Sequence, residues 1–246
     1  MQENFSCDTA DKLFNIFLQI FNRTENYKVY NTAEQHTKAG IKLKKKIIGY
    51  YDYTVVLTYV GMLCACAGIF SAIDKNTRAA AVLLTAAGVC DLFDGAVAST
   101  KKRTDDEKRF GIQIDSLCDL ISFGALPAVI AYTTSPKPTT GIIAALYTLT
   151  AVIRLAYFNV AEETRQKGDE KRRKTYLGVP VTVIAIILPG AVILGNVLNV
   201  PLITLSLVPM GIGYISPLDV PKPRIKGLAV LVLIMIAECV VLFLTK

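Results

Sequence analysis

Seven apolar segments recur along this chain of 246 residues, and their length limits what it can fold into. Six of them have 18 to 23 residues, close to the roughly 20 that a helix needs to cross a bilayer core about 30 Å thick. The segments cover residues 54–73, 79–98, 110–132, 141–160, 179–197, 202–215 and 227–244. The sixth has only 14 residues and contains Pro209, so a broken helix and a re-entrant segment are the alternatives there.

Composition agrees with a membrane protein. The chain is 52% hydrophobic and 19% charged, with a mean hydropathy of +0.44, which is too apolar for an ordinary soluble domain. We therefore predict an all-α, polytopic integral membrane bundle with six core transmembrane helices and a seventh at the C-terminus. Its predicted parts are a polar N-terminal extension with an amphipathic segment over residues 1–49, a membrane domain over 50–220, and the last helix within 221–246.

Loop charge predicts the orientation of this bundle. If the N-terminus lies inside, the cytoplasmic segments 38–53, 99–109, 161–178 and 216–226 hold 19 lysines and arginines, and the outer segments hold four. Because such cations collect on the cytoplasmic side, this orientation is favoured, with the protein in the cell membrane. The net charge of +7 then reports topology, and the aromatic and basic interleaving of single-strand nucleic-acid binders is not present.

Histidine and cysteine chemistry is excluded by position and number. The one histidine, His36, precedes the first apolar segment, so catalysis by histidine is not expected. Five of the six cysteines lie within apolar segments and no CxxC motif occurs, which favours neither a zinc site nor a disulfide framework. Any catalysis must use carboxylates.

Four carboxylates lie within apolar segments that are expected to cross the hydrocarbon core of the membrane. Asp91 and Asp94 end the second apolar segment, and Asp115 and Asp119 lie in the third. Ionised acids in membrane helices cost roughly 2.5 to 3.5 kcal/mol each, or about 10 to 14 for four. Spacings of three and four residues put each pair on one helix face, so each helix turns a single polar stripe toward the other.

The two stripes are predicted to converge on metal ions. A short loop joins the helices, so they run antiparallel, and Asp94 and Asp115 lie about 7 to 8 Å from the cytoplasmic ends. Oxygen ligands without histidine or cysteine suit Mg²⁺ or Mn²⁺, and two such ions would offset four negative charges and leave positions for a diphosphate. A divalent-cation transporter using the same acids is the alternative from another class.

These residues carry a resemblance to a known family. The segments "DLFDGAVAS" and "GIQIDSLCD" resemble the signature of the CDP-alcohol phosphatidyltransferases, D-x2-D-G-x2-A-R-x8-G-x3-D-x3-D. The residues that match it are Asp91, Asp94, Gly95, Ala98, Gly111, Asp115 and Asp119. Ser99 stands where the family has arginine, and the gap to Gly111 is three residues longer.

The resemblance implies roles for these positions. Two metal ions would be bound by Asp91, Asp94 and Asp115, while Asp119, also near the second metal, would be the base that deprotonates the alcohol. The CDP-lipid would contact Gly95, Ala98, Ser99 and Gly111, together with Thr58, which matches a threonine of the first span. The contact of the family arginine would pass from Ser99 to Lys101, Lys102 or Arg103.

Three further segments narrow the expected substrate. "DSLCDLISFGALPA", "RLAYFNV" and "YLGVPV" are similar to family members that transfer a phosphatidyl group from CDP-diacylglycerol to L-serine and release CMP, and the resemblance covers about residues 50–220. Glycerol phosphate, inositol phosphate or another alcohol remains the alternative acceptor, and diacyl and ether lipids are both open. Homodimers are common among relatives, so a homodimer is a candidate assembly.

Arg154 lies inside the fourth apolar segment, about 9 Å from its cytoplasmic end. A guanidinium at that depth needs an anion. Either the acid cluster or a substrate carboxylate or phosphate could supply it, and we predict the serine carboxylate, which a planar guanidinium binds with two hydrogen bonds. Ser122 and Asn159 are predicted to add neutral hydrogen bonds to the serine.

Overall fold

A computed structural model of the chain describes residues 49–167, 175–198, 200–221 and 225–244. The chain divides into two units, residues 1–53 and 54–246, and the fold described below belongs to the second. Apart from Gly49, the predicted N-terminal extension with its amphipathic segment lies outside the described residues. So do the loop cations at 171–174 and 222–224, and the predicted domain boundaries stay predictions.

The described chain is almost entirely helical. A π-helical turn, Leu120–Ala125, joins α3 to α4, and a 3-10 turn, Val181–Val183, leads into α6. Two strands of three residues pair antiparallel, β1 (Thr175–Leu177) with β2 (Asp219–Pro221). The helices are α1 (Tyr53–Ile73), α2 (Thr77–Ala98), α3 (Asp105–Asp119), α4 (Leu126–Thr134), α5 (Pro138–Lys167), α6 (Ile184–Leu198), α7 (Leu202–Ile215) and α8 (Ile225–Leu244).

Five stretches of the described helices are long and apolar enough to cross a membrane, which confirms the all-α membrane class. They are Tyr53–Ile73, Thr77–Ala98, Asp105–Thr134, Pro138–Thr164 and Gly227–Leu244. Large apolar side chains lie exposed on the outside, as in Ile142, Leu233 and Phe243, and an exposed apolar surface of this kind fits contact with lipid. Helices α6 and α7 are shorter, about 21 to 23 Å at 1.5 Å per residue, so the number of six or seven spans stays a prediction.

The fifth predicted segment begins later in the structure, whereas the sixth keeps its predicted bounds. The segment predicted over 179–197 becomes α-helical only at Ile184, because Gly178 adopts a left-handed φ of +72° and Val179 donates its N–H to Gly213 O at 2.9 Å. The chain is thereby bound to the end of α7 before α6 begins. Helix α7 itself is continuous through Pro209, so the broken-helix alternative is wrong.

Small residues bring α2 close to its neighbours. A Cβ on Gly88 would lie 2.6 Å from the Cβ of Ala185 on α6, and one on Gly61 of α1 would lie 3.1 Å from the Cβ of Cys90. The interior around these contacts is apolar, with Leu84 fully buried. Real Cβ atoms essentially never lie as close as 2.6 Å and seldom as close as 3.1 Å. Glycine at these two positions therefore lets α6 and α1 come near the helix that carries Asp91 and Asp94.

The start of α3 is set by its own residues. Glu107 donates its backbone N–H to Thr104 Oγ1 at 3.2 Å, and Thr104 N–H donates to Glu107 Oε2 at 2.8 Å. This capping box satisfies two amide groups that a helix start leaves free. Asp105, Asp106 and Glu107 place negative charge in the first turn, where the helix dipole favours it. The chain therefore enters α3 immediately after a loop of six residues, 99–104.

Candidate active site

Three of the four predicted acids come together. Asp91 and Asp94 lie in the last two turns of α2, and Asp115 lies near the end of α3. One carboxylate oxygen from each of the three lies within 4.8 Å of the other two. Opposite oxygen ligands of Mg²⁺ stand about 4.2 Å apart, from a metal–oxygen distance near 2.1 Å. The three carboxylates therefore need only small movements to bind one divalent ion.

Asp119 belongs to the same cluster. Its carboxyl group lies beside that of Asp91, and the carboxyl group of Asp94 lies beside that of Asp115. Since the earlier residue of α2 pairs with the later residue of α3, the two helices are antiparallel in this region. Asp91, Asp94 and Asp119 also line a cavity of about 10 Å³, close to the space of one water-sized particle.

The chemistry of this cluster fits a divalent metal. Four carboxyl groups lie together in apolar helices, and each ionised one is costly there unless a cation offsets it. All the clustered ligand atoms are oxygens, which is the donor type that Mg²⁺ and Mn²⁺ prefer. The residues present thus fit the metal that the sequence pattern predicts.

The remaining residues of the α2 motif face an open region. A Cβ on Gly95 would meet nothing within 4 Å, so the backbone beside Asp94 is accessible to a ligand. Ala98 is half-buried at the end of the same helix. Thr58 of α1 donates from Oγ1 to Asp94 Oδ2 at 3.2 Å, so it already contacts one predicted metal ligand. Their contacts with a CDP-lipid stay predictions.

In the loop between α2 and α3, the residues that could take the place of the missing arginine make different contacts. Ser99 donates its hydroxyl to Ala96 O at 2.6 Å, and Lys101 Nζ pairs with Glu107 at 2.9 Å. Arg103 differs from both, because its Nη1 lies 2.9 Å from where a Cβ on Gly111 would be. Its guanidinium therefore covers Gly111, one helical turn before Asp115.

The structure adds a feature that the sequence analysis missed, the π-helical turn directly after Asp119. Ser122 lies in this turn, is buried, and lines the small cavity beside the acids. Leu126 donates its N–H to Ile121 O, five residues back. The available signal was Pro127, which has no N–H to give to Phe123 O in an ordinary helix.

Hydrogen bonds to α5 hold α3 in place. Ser116 donates its hydroxyl to Asn159 Oδ1, and Gln113 Nε2 donates to Glu163 Oε1 at 3.1 Å. Asn159 of α5 thus lies beside Ser116, the residue that follows Asp115 on α3. Its predicted contact with serine stays a prediction.

Arg154 is buried, with 6% of its surface exposed. Its Nη1 donates to Leu177 O at 2.8 Å and to Tyr214 O at 3.1 Å, and Nη2 lies 3.4 Å from Gly178 O. These bonds hold the segment before Pro180 against α5 and α7. To bind a serine carboxylate, Arg154 would have to exchange part of this network for the ligand, and that assignment stays a prediction.

Fold and site together define a helical membrane protein with a cluster of carboxylates suited to a divalent metal. A family model described as CDP-alcohol phosphatidyltransferase matches residues 54–213. The chain therefore belongs to the CDP-alcohol phosphatidyltransferase family, as the sequence motif predicts.

Relatives of known name share part of the chain. A CDP-diacylglycerol--serine O-phosphatidyltransferase of Mycobacterium leprae is 34% identical over 134 residues, 52% of this chain and 43% of its own. One of Bacillus subtilis is 26% identical over 174 residues, 70% and 89% of the two chains. An archaetidylserine synthase of Methanothermobacter thermautotrophicus is 26% identical over 186 residues, 75% of each chain. The chain thus spans less than half the length of the mycobacterial relative.

Replacing Arg154 by lysine distinguishes structural support from substrate binding. A lysine ammonium cannot reproduce a fork that serves three carbonyls, so we expect Arg154→Lys to lower the Tm in detergent by roughly 5 °C. Loss of the predicted contact with the serine carboxylate would also raise the KM for serine about tenfold. Thermal unfolding and saturation kinetics on the same preparation measure both. A lower Tm with an unchanged serine KM would contradict the predicted serine contact and leave Arg154 with a structural role alone.

Proposed function

We propose that this chain transfers a phosphatidyl group from CDP-diacylglycerol, or an ether-lipid analogue, to L-serine, giving phosphatidylserine and CMP. The observation that carries the proposal is the convergence of Asp91, Asp94 and Asp115 within 4.8 Å beside the open backbone of Gly95. Family membership supports the transfer chemistry, and the names of the relatives support serine as the acceptor.

Two divalent ions, Mg²⁺ or Mn²⁺, would be held by Asp91, Asp94, Asp115 and Asp119. When bound, they would neutralise the diphosphate and the charge that develops on it during transfer. The protein holds the four carboxylates on two antiparallel helices, so the ligand set exists before substrate arrives. Such preorganisation limits the movement needed at the reaction step.

Asp119 is the residue we assign as general base. Its carboxylate would take the proton of the serine hydroxyl as that oxygen bonds to the phosphorus of the phosphatidyl group and the bond from phosphorus to CMP breaks. Asp119 lines the cavity with Ser122, which makes Ser122 the predicted serine contact best placed beside the base. Asn159 and Arg154 of α5 already bond to other groups of the protein, so they would contact the serine only from those positions.

Arg103 is the residue we propose in place of the family arginine. Its guanidinium covers Gly111, whereas Lys101 is paired with Glu107 and the Ser99 hydroxyl is bonded to its own helix. The three additional loop residues let the chain deliver a cation from the loop to the stripe that carries Asp115. A guanidinium there can bind phosphate oxygens in a forked geometry.

Release of CMP tests the proposed reaction. We expect purified protein in detergent with Mg²⁺ or Mn²⁺ to release CMP from CDP-diacylglycerol when L-serine is present, and at least tenfold more slowly with glycerol phosphate or inositol phosphate. A different preferred alcohol would move the chain to another acceptor within the family. Absence of CMP release, with uptake of divalent metal into proteoliposomes, would instead support the transporter alternative.

Two isosteric substitutions separate the base from a metal ligand. Asp119→Asn should lower kcat at least a hundredfold while the KM for CDP-diacylglycerol changes little, because proton removal matters only in the transition state. Asp115→Asn should instead remove both activity and the rise in Tm that added metal produces. If the two variants lose metal-dependent stabilisation equally, Asp119 is chiefly a ligand.

Arg103→Gln tests the proposed cation. We expect the KM for CDP-diacylglycerol to rise about tenfold, equivalent to about 1.4 kcal/mol, with the serine KM unchanged. Arg109→Gln is the matched control, because Arg109 is an exposed arginine on α3, six residues after Arg103. Equal effects of the two substitutions would indicate general attraction of the anionic lipid and contradict a specific contact by Arg103.

The cytoplasmic location of the site and a homodimeric assembly also stay predictions.

A further inference from the structure

The π-helical turn after Asp119 depends on hydroxyl groups of α5. Pro127 follows the turn and lacks the N–H that would bond to Phe123 O in an α-helix, and a proline ring also pushes away the carbonyl four residues before it. Phe123 O therefore loses its ordinary donor. Tyr147 of α5 donates its hydroxyl to this carbonyl, and the Tyr147 side chain is 2% exposed.

A second hydroxyl supports the same turn. The single hydroxyl hydrogen of Thr148 is shared between Ala144 O on its own helix, 2.9 Å from Oγ1, and Gly124 O of the turn, 3.3 Å from Oγ1. A Cβ on Gly124 would stand 3.5 Å from the Cβ of Ala151, so α5 packs directly on the turn. Two successive carbonyls of the turn thus bond to two successive residues of α5.

We infer that Tyr147 is a positioning residue for the acid cluster, acting through the bond between its hydroxyl and Phe123 O. The turn that Tyr147 holds begins at the residue after Asp119 and contains Ser122. Without that bond, Phe123 O is buried without its hydroxyl donor, and the turn can adopt another backbone conformation. Such a shift rotates the last residues of α3 and moves the Asp119 carboxylate relative to Asp91.

Tyr214 of α7 provides the comparison. Its hydroxyl oxygen lies 3.0 Å from that of Tyr147, and it donates to Val181 O at 3.0 Å. The two rings lie 5.5 Å apart, and both side chains are buried. Tyr214→Phe therefore removes a buried hydroxyl from the same cluster and leaves the bond from Tyr147 to the turn in place.

The inference rests on the proposed function, and paired variants test it. We expect Tyr147→Phe to lower kcat at least tenfold with the KM for CDP-diacylglycerol within twofold of wild type. We expect Tyr214→Phe to lose a similar amount of Tm but to keep kcat within threefold. Equal loss of kcat in the two variants, or no loss in Tyr147→Phe, would overturn the positioning role.

A readout independent of turnover accompanies these kinetics. The Mg²⁺ concentration that gives half of the metal-dependent rise in Tm should increase at least threefold in Tyr147→Phe and stay unchanged in Tyr214→Phe. This titration still tests the inference if wild-type protein releases no CMP, which would refute only the proposed function. Should Tyr147→Phe fail to fold, variants of Thr148 test the second bond from α5 to the same turn. Thr148→Val should lower kcat, and Thr148→Ser, which keeps the hydroxyl, should retain it. Equal kcat values in these two variants would overturn the inference that bonds from α5 to the turn position the acids.

Discussion

The placement of four carboxylates in two adjacent apolar helices is the constraint on which the rest of this structure depends. No segment of hydrocarbon-facing helix tolerates such charge without compensation, so α2 and α3 must turn these faces toward each other. Their antiparallel arrangement brings Asp91 to Asp119 and Asp94 to Asp115. The helix pairing thus places four carboxyl groups where a cation can offset their charge.

The surrounding helices hold this pair at a fixed separation by two different means. Helix α2 is held by close packing, because Gly61 and Gly88 let α1 and α6 approach it closely. Helix α3 is held by polar bonds to α5, through Ser116 and Gln113. Close packing restrains the distance between helices. Hydrogen bonds depend on direction, so they also restrain the rotation of a helix about its own axis. Rotation is what decides whether Asp115 faces the cluster.

The sequence predicted the parts of this architecture that depend on local periodicity and missed the parts that depend on distant partners. Apolar length predicted the long helices, and spacings of three and four residues predicted the acid stripes. The partners of Arg154 come from segments more than 20 residues away, so no local pattern reveals them. The π-helical turn is hidden for a related reason, since its inserted residue leaves the apolar pattern unbroken and its carbonyls depend on α5. Strands β1 and β2, of three residues each, are too short to give a pattern at all.

Ser99 and the longer loop are the two departures from the family motif, and they are adjacent in the chain. Ser99 lies at the end of α2, where its hydroxyl bonds to the last turn, so it caps the helix and carries no charge. The loop that follows is longer than the family pattern, and it ends in a capping box that fixes the start of α3. Arg103 is the residue just before that box, so its backbone is anchored by the cap while its side chain extends along α3 to Gly111. Because Gly111 has no side chain, the guanidinium can lie against the helix at this level. The glycine of the motif thus leaves room for the guanidinium that we propose in place of the missing arginine, and on that proposal the two departures from the family pattern compensate each other.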